Sequence, residues 1–98
     1  MDEVPARKHA EAHAKAVVDG DMDAVEADFA PELRGQIQDV AQKLPRPTTD
    51  AEIARFDMEG DHANVEIRYS NEDDSKTVRT RWEELDGRPM IVDVAVAG

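Results

Sequence analysis

Apolar residues in the first half of the chain recur at the three- and four-residue spacing of amphipathic helices. Pro5 to Asp19 predicts a first helix, because proline suits a first turn and Gly20 suits the left-handed position just past a helix end. Asp21 is a good N-cap for a short second helix, and Pro31 opens a third that continues to Leu44. The predicted apolar stripes are Ala6, Ala10 and Val17, then Met22, Val25 and Phe29, then Leu33, Ile37, Val40, Ala41 and Leu44.

After the loop "PRPTT" (45–49) the pattern changes to the two-residue alternation of β-strands. The polar stretches 59–62, 70–75 and 85–88 divide it into four runs, and the last contains Asp-Gly, a strong hairpin signal. The runs assign these residues to the inner face: Ala54, Phe56, Met58, Ala63, Val65, Ile67, Tyr69, Val78, Thr80, Trp82, Met90, Val92, Val94 and Val96.

This order of elements predicts an α+β fold in which three N-terminal helices pack on one face of a four-stranded antiparallel sheet. The 98 residues suffice for one domain, 1–98, with a helical half at 5–44 and a sheet half at 51–97. The other face of the sheet is almost wholly charged, as expected of an antiparallel sheet with one face in water.

Composition narrows the classes of function. The chain has 23 acidic and 12 basic residues, a net charge of −11 that disfavours nucleic acid and anionic membranes as partners. It has no cysteine, and no apolar run of the length that a signal peptide or membrane span needs. It also shows no glycine-rich phosphate loop. We therefore expect a cytoplasmic protein without a cofactor.

Two segments carry a family resemblance. "AHAKAVVDGDMDAVEADFAPEL" (12–33) resembles the first helix, Gly-Asp corner and second helix of nuclear transport factor 2-like proteins. "RTRWEELDGRPMIVDVAV" (79–96) resembles their closing hairpin. The resemblance covers nearly the whole chain and implies a cystatin-like α+β roll, a curved sheet wrapped by the helices into a cone.

Fold alone says little about activity, because the family includes isomerases, cyclases, dehydratases and non-catalytic modules. The resemblance implies, first, a non-catalytic module that binds a small apolar ligand or a protein partner. An alternative is a small isomerase, cyclase or dehydratase acting on an apolar carbonyl compound. A structural dimerisation domain is a third alternative.

"HAEAH" at 9–13 places two histidines four residues apart, where they share a helix face. Glu11 lies about 200° around the helix from each, at roughly 100° per residue, so it cannot join a metal site with them. No inward acid or histidine is predicted in the sheet to act as third ligand. We therefore expect no metal site, a surface His9, and a His13 that packs within the apolar stripe or lines a pocket.

Candidate pocket residues are His13, Phe56, Tyr69 and Trp82, of which the aromatic three point inward by alternation. Isomerase chemistry of the family type needs a carboxylate base beside a tyrosine. Asp57 and Asp93 are predicted to point outward, although a one-residue bulge would turn Asp93 inward. No catalytic residue is therefore assigned.

The outer sheet face alternates arginine and glutamate, so two copies related by a two-fold axis can match opposite charges. The resemblance adds that this family often pairs through the same face. We expect a weak homodimer whose interface includes Arg68, Arg79, Arg81, Glu83 and Ile91, with Ile53 as a further apolar contact if it lies there.

Overall fold

The computed structural model describes residues 2–97, and all helices precede all strands. The α+β class predicted from the sequence is confirmed. The helices are α1 (Glu3–Asp19), α2 (Met22–Asp28), a 3-10 helix (Pro31–Gln36) and α3 (Ile37–Lys43); the strands are β1 (Asp50–Glu59), β2 (His62–Ser70), β3 (Ser75–Leu85) and β4 (Arg88–Ala97).

The corner between α1 and α2 has the predicted geometry. Gly20 takes the left-handed conformation at φ 73°, which ends α1 without the steric penalty of a Cβ atom. The side chain of Asp21 accepts a hydrogen bond of 3.2 Å from the backbone N–H of Ala24 and so caps α2.

The predicted third helix begins at Pro31, but it is not α-helical throughout. Its first six residues form the 3-10 helix, which contains Gly35, only Ile37–Lys43 forms α3, and Leu44 is the C-cap. Glycine is a poor helix former, and 3-10 turns are frequent beside helix ends. None of the α3 residues is fully buried, so the helix packs on the core only through half-buried side chains.

The four strands form an antiparallel meander in the order β1-β2-β3-β4. Asp86 and Gly87 join β3 to β4 with φ values of 53° and 82°. Two successive positive φ values characterise the type I′ turn, whose twist matches that of the flanking strands.

A bulge in β1 changes which residues face the core. Ile53 pairs with Ile67 and Arg55 pairs with Glu66, so Ala54 is an extra residue without a partner. Ile53 therefore packs against the core, while Ala54 is exposed. The prediction that Ala54 faces inward is wrong, and the condition under which Ile53 would have joined the outer face is not met.

A second bulge lies in β4. Trp82 pairs with Ile91 and Arg81 pairs with Asp93, which leaves Val92 as the extra residue. Ile91 is fully buried at 0% exposure, so its assignment to the outer face and a dimer interface is wrong. Val92 is only half-buried and does not belong to the core cluster, whereas Asp93 keeps its predicted outward position. Both bulges lie in edge strands, where they bend the sheet.

The core fills the space between the helices and the sheet, and its largest fully buried side chains are Trp82, Ile67, Ile91 and Val65. The segment after α2 is attached to the edge of β4. Phe29 forms a parallel bridge with Ile91, whose carbonyl accepts a 2.8 Å hydrogen bond from the N–H of Ala30. This attachment holds the end of α2 over the start of β4. Within residues 2–97, no helix has the length and apolarity needed to cross a bilayer.

Candidate functional site

His13 and Asp28 form a buried pair between α1 and α2. His13 lies on the inner face of α1 and is 4% exposed; Asp28 is the last residue of α2 and is 8% exposed. Nδ1 of His13 lies 2.9 Å from Oδ2 of Asp28, a hydrogen-bond distance. The Gly20–Asp21 corner makes this contact possible, because it folds α2 back against α1.

Arg88 supplies a second partner for the same carboxylate. It is the first residue of β4, directly after the Asp86-Gly87 turn, and its Nη2 donates a 2.6 Å hydrogen bond to Oδ1 of Asp28. A buried carboxylate is tolerated only when it is paired and hydrogen-bonded, and here both oxygens are engaged. His13, Asp28 and Arg88 are called the Asp28 network below.

Aromatic rings enclose the imidazole of His13. The ring of Phe29 lies at 5.7 Å between centroids and that of Trp82 at 5.6 Å, both edge to face. The indole N–H of Trp82 donates to Oγ1 of Thr80 at 2.9 Å, and that hydroxyl donates to the carbonyl of Val65 at 2.9 Å. The orientation of the Trp82 ring is thus set by hydrogen bonds as well as by packing.

A cavity of about 60 Å³ lies beside the imidazole. The helical half supplies one wall through His13 and one side of α3, and the sheet supplies the opposite wall through Tyr69 and Thr80. The lining is otherwise apolar and includes Val25, Phe29, Ile37, Val40, Leu44, Val78 and Val94. Met22, which is 51% exposed and therefore departs from its predicted place in the apolar stripe, also lines the cavity.

Tyr69 keeps its proton in this environment. Burial raises the pKa of its hydroxyl well above the ordinary value, and the negative charge of Asp28 raises it further. At neutral pH the side chain is therefore a neutral phenol that can donate a hydrogen bond.

The structure brings together some of the predicted pocket residues and separates others. His13 and Tyr69 line the cavity. Trp82 is fully buried behind His13 and does not line it. Phe56 does not line the cavity; it is half-buried against the core, and the guanidinium of Arg7 lies 5.6 Å from the centre of its ring.

Asp28 and Arg88 were missed by the sequence analysis. A signal for Asp28 was present, because it follows Val25 by three residues and so lies on the buried face of α2 next to Phe29. The sheet carboxylates lie on the outer side, as expected: Asp57 is partly exposed and Asp93 is exposed. The buried carboxylate comes instead from Asp28 in the helical half. Among residues 2–97 no group of three or more acidic, histidine or cysteine side chains is arranged to hold a metal ion.

Three of the five predicted interface residues, Arg68, Arg81 and Glu83, form ion pairs within the chain. Arg81 donates to Glu83 at 3.0 Å, and Arg68 lies 3.6 Å from Glu52. These side chains are partly exposed, between 38% and 62%, and Arg79 is exposed. The face therefore carries the predicted alternation of charge without the predicted contribution of Ile91.

A larger groove, of about 400 Å³, runs between α1 and the start of β1. Arg7, Glu11, Lys15, Asp50 and Glu52 contribute charges of both signs to its lining. It is an open groove between a helix and an edge strand. The smaller cavity is the better candidate site, because buried polar groups converge on an apolar space there.

Comparison with known proteins identifies the fold. No protein-family model and no curated protein matches the sequence. A crystal structure of a nuclear transport factor 2-like protein of unknown function from Shewanella baltica is similar, with a TM-score of 0.71 and 13% identity over 96% of this chain and 92% of that one. A second such protein of unknown function, from Burkholderia xenovorans, has a TM-score of 0.61 and 20% identity over 98% and 89% of the two chains.

A de novo designed protein with a curved β-sheet is also similar, with a TM-score of 0.66 and 14% identity over 98% of this chain and 86% of that one. The chain therefore has the nuclear transport factor 2-like fold. Structural similarity at identities this low establishes the fold and leaves function to be argued from the site.

Proposed function

We propose that this chain, built on the nuclear transport factor 2-like fold, is a non-catalytic module that binds a small, mainly apolar ligand in the cavity beside His13. The observation that carries the proposal is an apolar space lined by the buried His13 and by Tyr69, whose hydroxyl keeps its proton. Such a combination of apolar walls with a few convergent polar groups is typical of small-molecule sites.

The size of the cavity limits the ligand. About 60 Å³ is several times the roughly 10–15 Å³ that one water requires, but far below the roughly 300–1,000 Å³ of drug-sized pockets. A ligand the size of a benzene ring needs a shift of one wall. α3 is the wall that can move, because Ile37, Val40 and Leu44 are only half-buried and no α3 residue is fully buried.

The test is a titration of the protein with toluene and phenol, followed by methyl NMR. Binding predicts saturable shifts of the methyl groups of Val40, Leu44 and Val94. Val40→Phe fills the cavity and should abolish these shifts. Gln38→Phe, on the exposed side of the same helix, should leave them intact. If neither toluene nor phenol produces saturable shifts at these methyl groups, the proposal is contradicted.

The Asp28 network favours a second candidate function, proton transfer in a small isomerase or dehydratase. His13 is oriented by a carboxylate and lines the same cavity as Tyr69, the arrangement expected of a general base beside a hydrogen-bond donor. In this role the imidazole removes a proton next to a carbonyl group, and Tyr69 stabilises the oxygen on which negative charge develops.

Deuterium exchange distinguishes the two functions. The exchange of the α-protons of cyclohexanone in D2O is measured by proton NMR. If His13 acts as a base, these protons exchange faster in the presence of the protein. His13→Gln should then abolish the acceleration, whereas Arg55→Gln on the exposed surface should not. Exchange at the rate of buffer alone, together with saturable ligand binding, supports the non-catalytic module.

A further inference from the structure

We infer that His13 presents an unprotonated Nε2 to the cavity, so that the ligand is an apolar molecule bearing a hydrogen-bond donor, such as a hydroxyl group. The inference rests on the proposed function, because it names the chemical class of the ligand for the same cavity. It follows from the chain of donors and acceptors through the Asp28 network.

The proton between His13 and Asp28 belongs to the imidazole. A carboxylate only accepts hydrogen bonds and a guanidinium only donates them. Arg88 donates to Oδ1 of Asp28, which keeps that carboxylate in its ionised form as the acceptor of both partners. Nδ1 of His13, 2.9 Å from Oδ2, is therefore the N–H donor.

Charge balance decides the state of the other ring nitrogen. Asp28 and Arg88 together are electrically neutral, so a neutral His13 leaves the Asp28 network, in which His13 and Asp28 are buried and Arg88 is partly exposed, without net charge. A protonated imidazole would add an uncompensated positive charge among Phe29 and Trp82 in a largely enclosed space, which is unfavourable. With the single proton on Nδ1, Nε2 carries a lone pair and accepts.

Nε2 can be reached from the cavity. Among the residues the structure describes, Arg88 Nε is the one fully enclosed side-chain nitrogen or oxygen atom without a hydrogen-bond partner. Nε2 of His13 makes no hydrogen bond within that part of the chain, so it retains accessible surface, and the imidazole lines the cavity. A ligand donor placed there meets an acceptor that the protein itself leaves unused.

Tyr69 refines the ligand class. The Tyr69 side chain lines the same cavity, and its protonated hydroxyl can donate to an oxygen of a ligand that reaches it. A hydroxyl group both donates and accepts, so it can satisfy His13 and Tyr69, whereas a carbonyl or ether oxygen can satisfy Tyr69 alone. An apolar alcohol or phenol therefore matches the site better than an apolar ketone.

Phenol and toluene, which are matched in size and differ in the donor group, provide the test. The measured quantity is the ratio of the affinity for phenol to the affinity for toluene. We expect this ratio to be roughly three- to tenfold higher in the wild-type protein than in His13→Phe, which is the usual effect of one net hydrogen bond. Tyr69→Phe removes the hydrogen bond to the phenol oxygen and should reduce the preference without abolishing it, because the acceptor on His13 is intact. An unchanged phenol-to-toluene ratio in His13→Phe overturns the inference.

Asp28→Asn tests Asp28 as a positioning residue that acts through His13. With Arg88 donating to the amide oxygen, the amide NH2 group faces Nδ1, and the imidazole proton moves to Nε2. The phenol preference should shrink, and ¹⁵N NMR of the imidazole should change from the Nδ1–H to the Nε2–H pattern. The wild-type spectrum, recorded at pH 8, keeps the inference testable if Asp28→Asn does not fold.

The outcomes separate this inference from the proposed function. Binding of toluene and phenol without a His13-dependent preference, or an Nε2–H tautomer in the wild-type protein, overturns only the inference about the ligand donor. Failure of both compounds to bind overturns the proposed function and the inference with it.

Discussion

Nδ1 of His13 and Oδ2 of Asp28 lie 2.9 Å apart although fifteen residues separate them in the chain, and the contact joins α1 to α2. Because both side chains are buried, we expect the pair to couple the two helices energetically. In a double-mutant cycle of His13→Phe and Asp28→Asn, urea unfolding should give a coupling free energy of about 1–3 kcal/mol.

Lys15 and Asp19 form the control pair. Their charged atoms lie 2.7 Å apart on the same helix, but both side chains are exposed. Solvent screening should reduce the coupling in the cycle of Lys15→Met and Asp19→Asn to about 0.5 kcal/mol or less. Equal coupling in the two cycles would show that burial adds nothing to the His13–Asp28 contact.

Tyr69 should make the protein sensitive to alkali. Its pKa in the folded state is raised above the ordinary value of 10.0, so the folded state holds the proton after the unfolded state has released it. The stabilising contribution is complete below pH 10 and is lost as the pH rises, by about 1.4 kcal/mol per pH unit. Urea unfolding between pH 8 and 11.5 measures this slope.

Tyr69→Phe removes the titrating group and preserves the ring. Above pH 10 the free energy of unfolding of this variant should fall less steeply than that of the wild type. The two slopes should differ by about 1.4 kcal/mol per pH unit. Identical slopes for the two proteins would mean that Tyr69 ionises as readily when folded as when unfolded.

The bulge in β4 predicts unequal effects at two adjacent aliphatic positions. Ile91 is fully buried beside Trp82, so Ile91→Ala should reduce the free energy of unfolding by about 2–5 kcal/mol. Val92 lies outside the core cluster, and Val92→Ala should reduce it by about 1 kcal/mol or less. A larger loss at Val92 than at Ile91 would contradict the register of β4.

A homodimer through the outer sheet face remains a prediction. With Ile91 in the core, the contact is made mainly by charged residues that already form pairs within the chain, such as Arg81 with Glu83. Exposed ion pairs contribute little and are screened by salt, so the dimer should be weak and should dissociate as salt rises. Sedimentation velocity over a range of protein and salt concentrations measures this equilibrium.

Arg81→Glu should weaken the dimer further, because it places like charges together. Lys15→Glu, on the helical side of the molecule, is the control for a change in net charge and should have a smaller effect. A monomer at every protein concentration would exclude the dimer. A dimer that responds to neither salt nor Arg81→Glu would place the interface elsewhere.

Local signals in the sequence determined the elements and their order. The spacing of apolar residues predicted α1, and single residues with strong backbone preferences predicted the corners at Gly20 and at Asp86-Gly87. These features depend on neighbours within a few residues, so they can be predicted from the sequence without knowledge of the fold. The unbroken alternation of β2 likewise predicted which of its residues are buried.

The faces of the two edge strands depended on the tertiary structure. Alternation assigns a face only while the register is unbroken, and one extra residue reverses every position beyond it. The sequence around Ala54 and Val92 carries no local mark of the extra residue, because a bulge is stabilised by the curvature of the sheet and by the partner strand. Ile53 and Ile91 therefore entered the core against expectation.

The candidate site was decided by the tertiary structure to an even greater degree. Its three polar side chains come from α1, α2 and β4, and Asp28 lies sixty residues from Arg88 in the chain. A buried carboxylate is stable only where its partners converge, and no local pattern reports that convergence. The sequence by itself determined that His13 lies on the apolar face of α1; the fold alone determined that Asp28 orients its imidazole and that a cavity lies beside it.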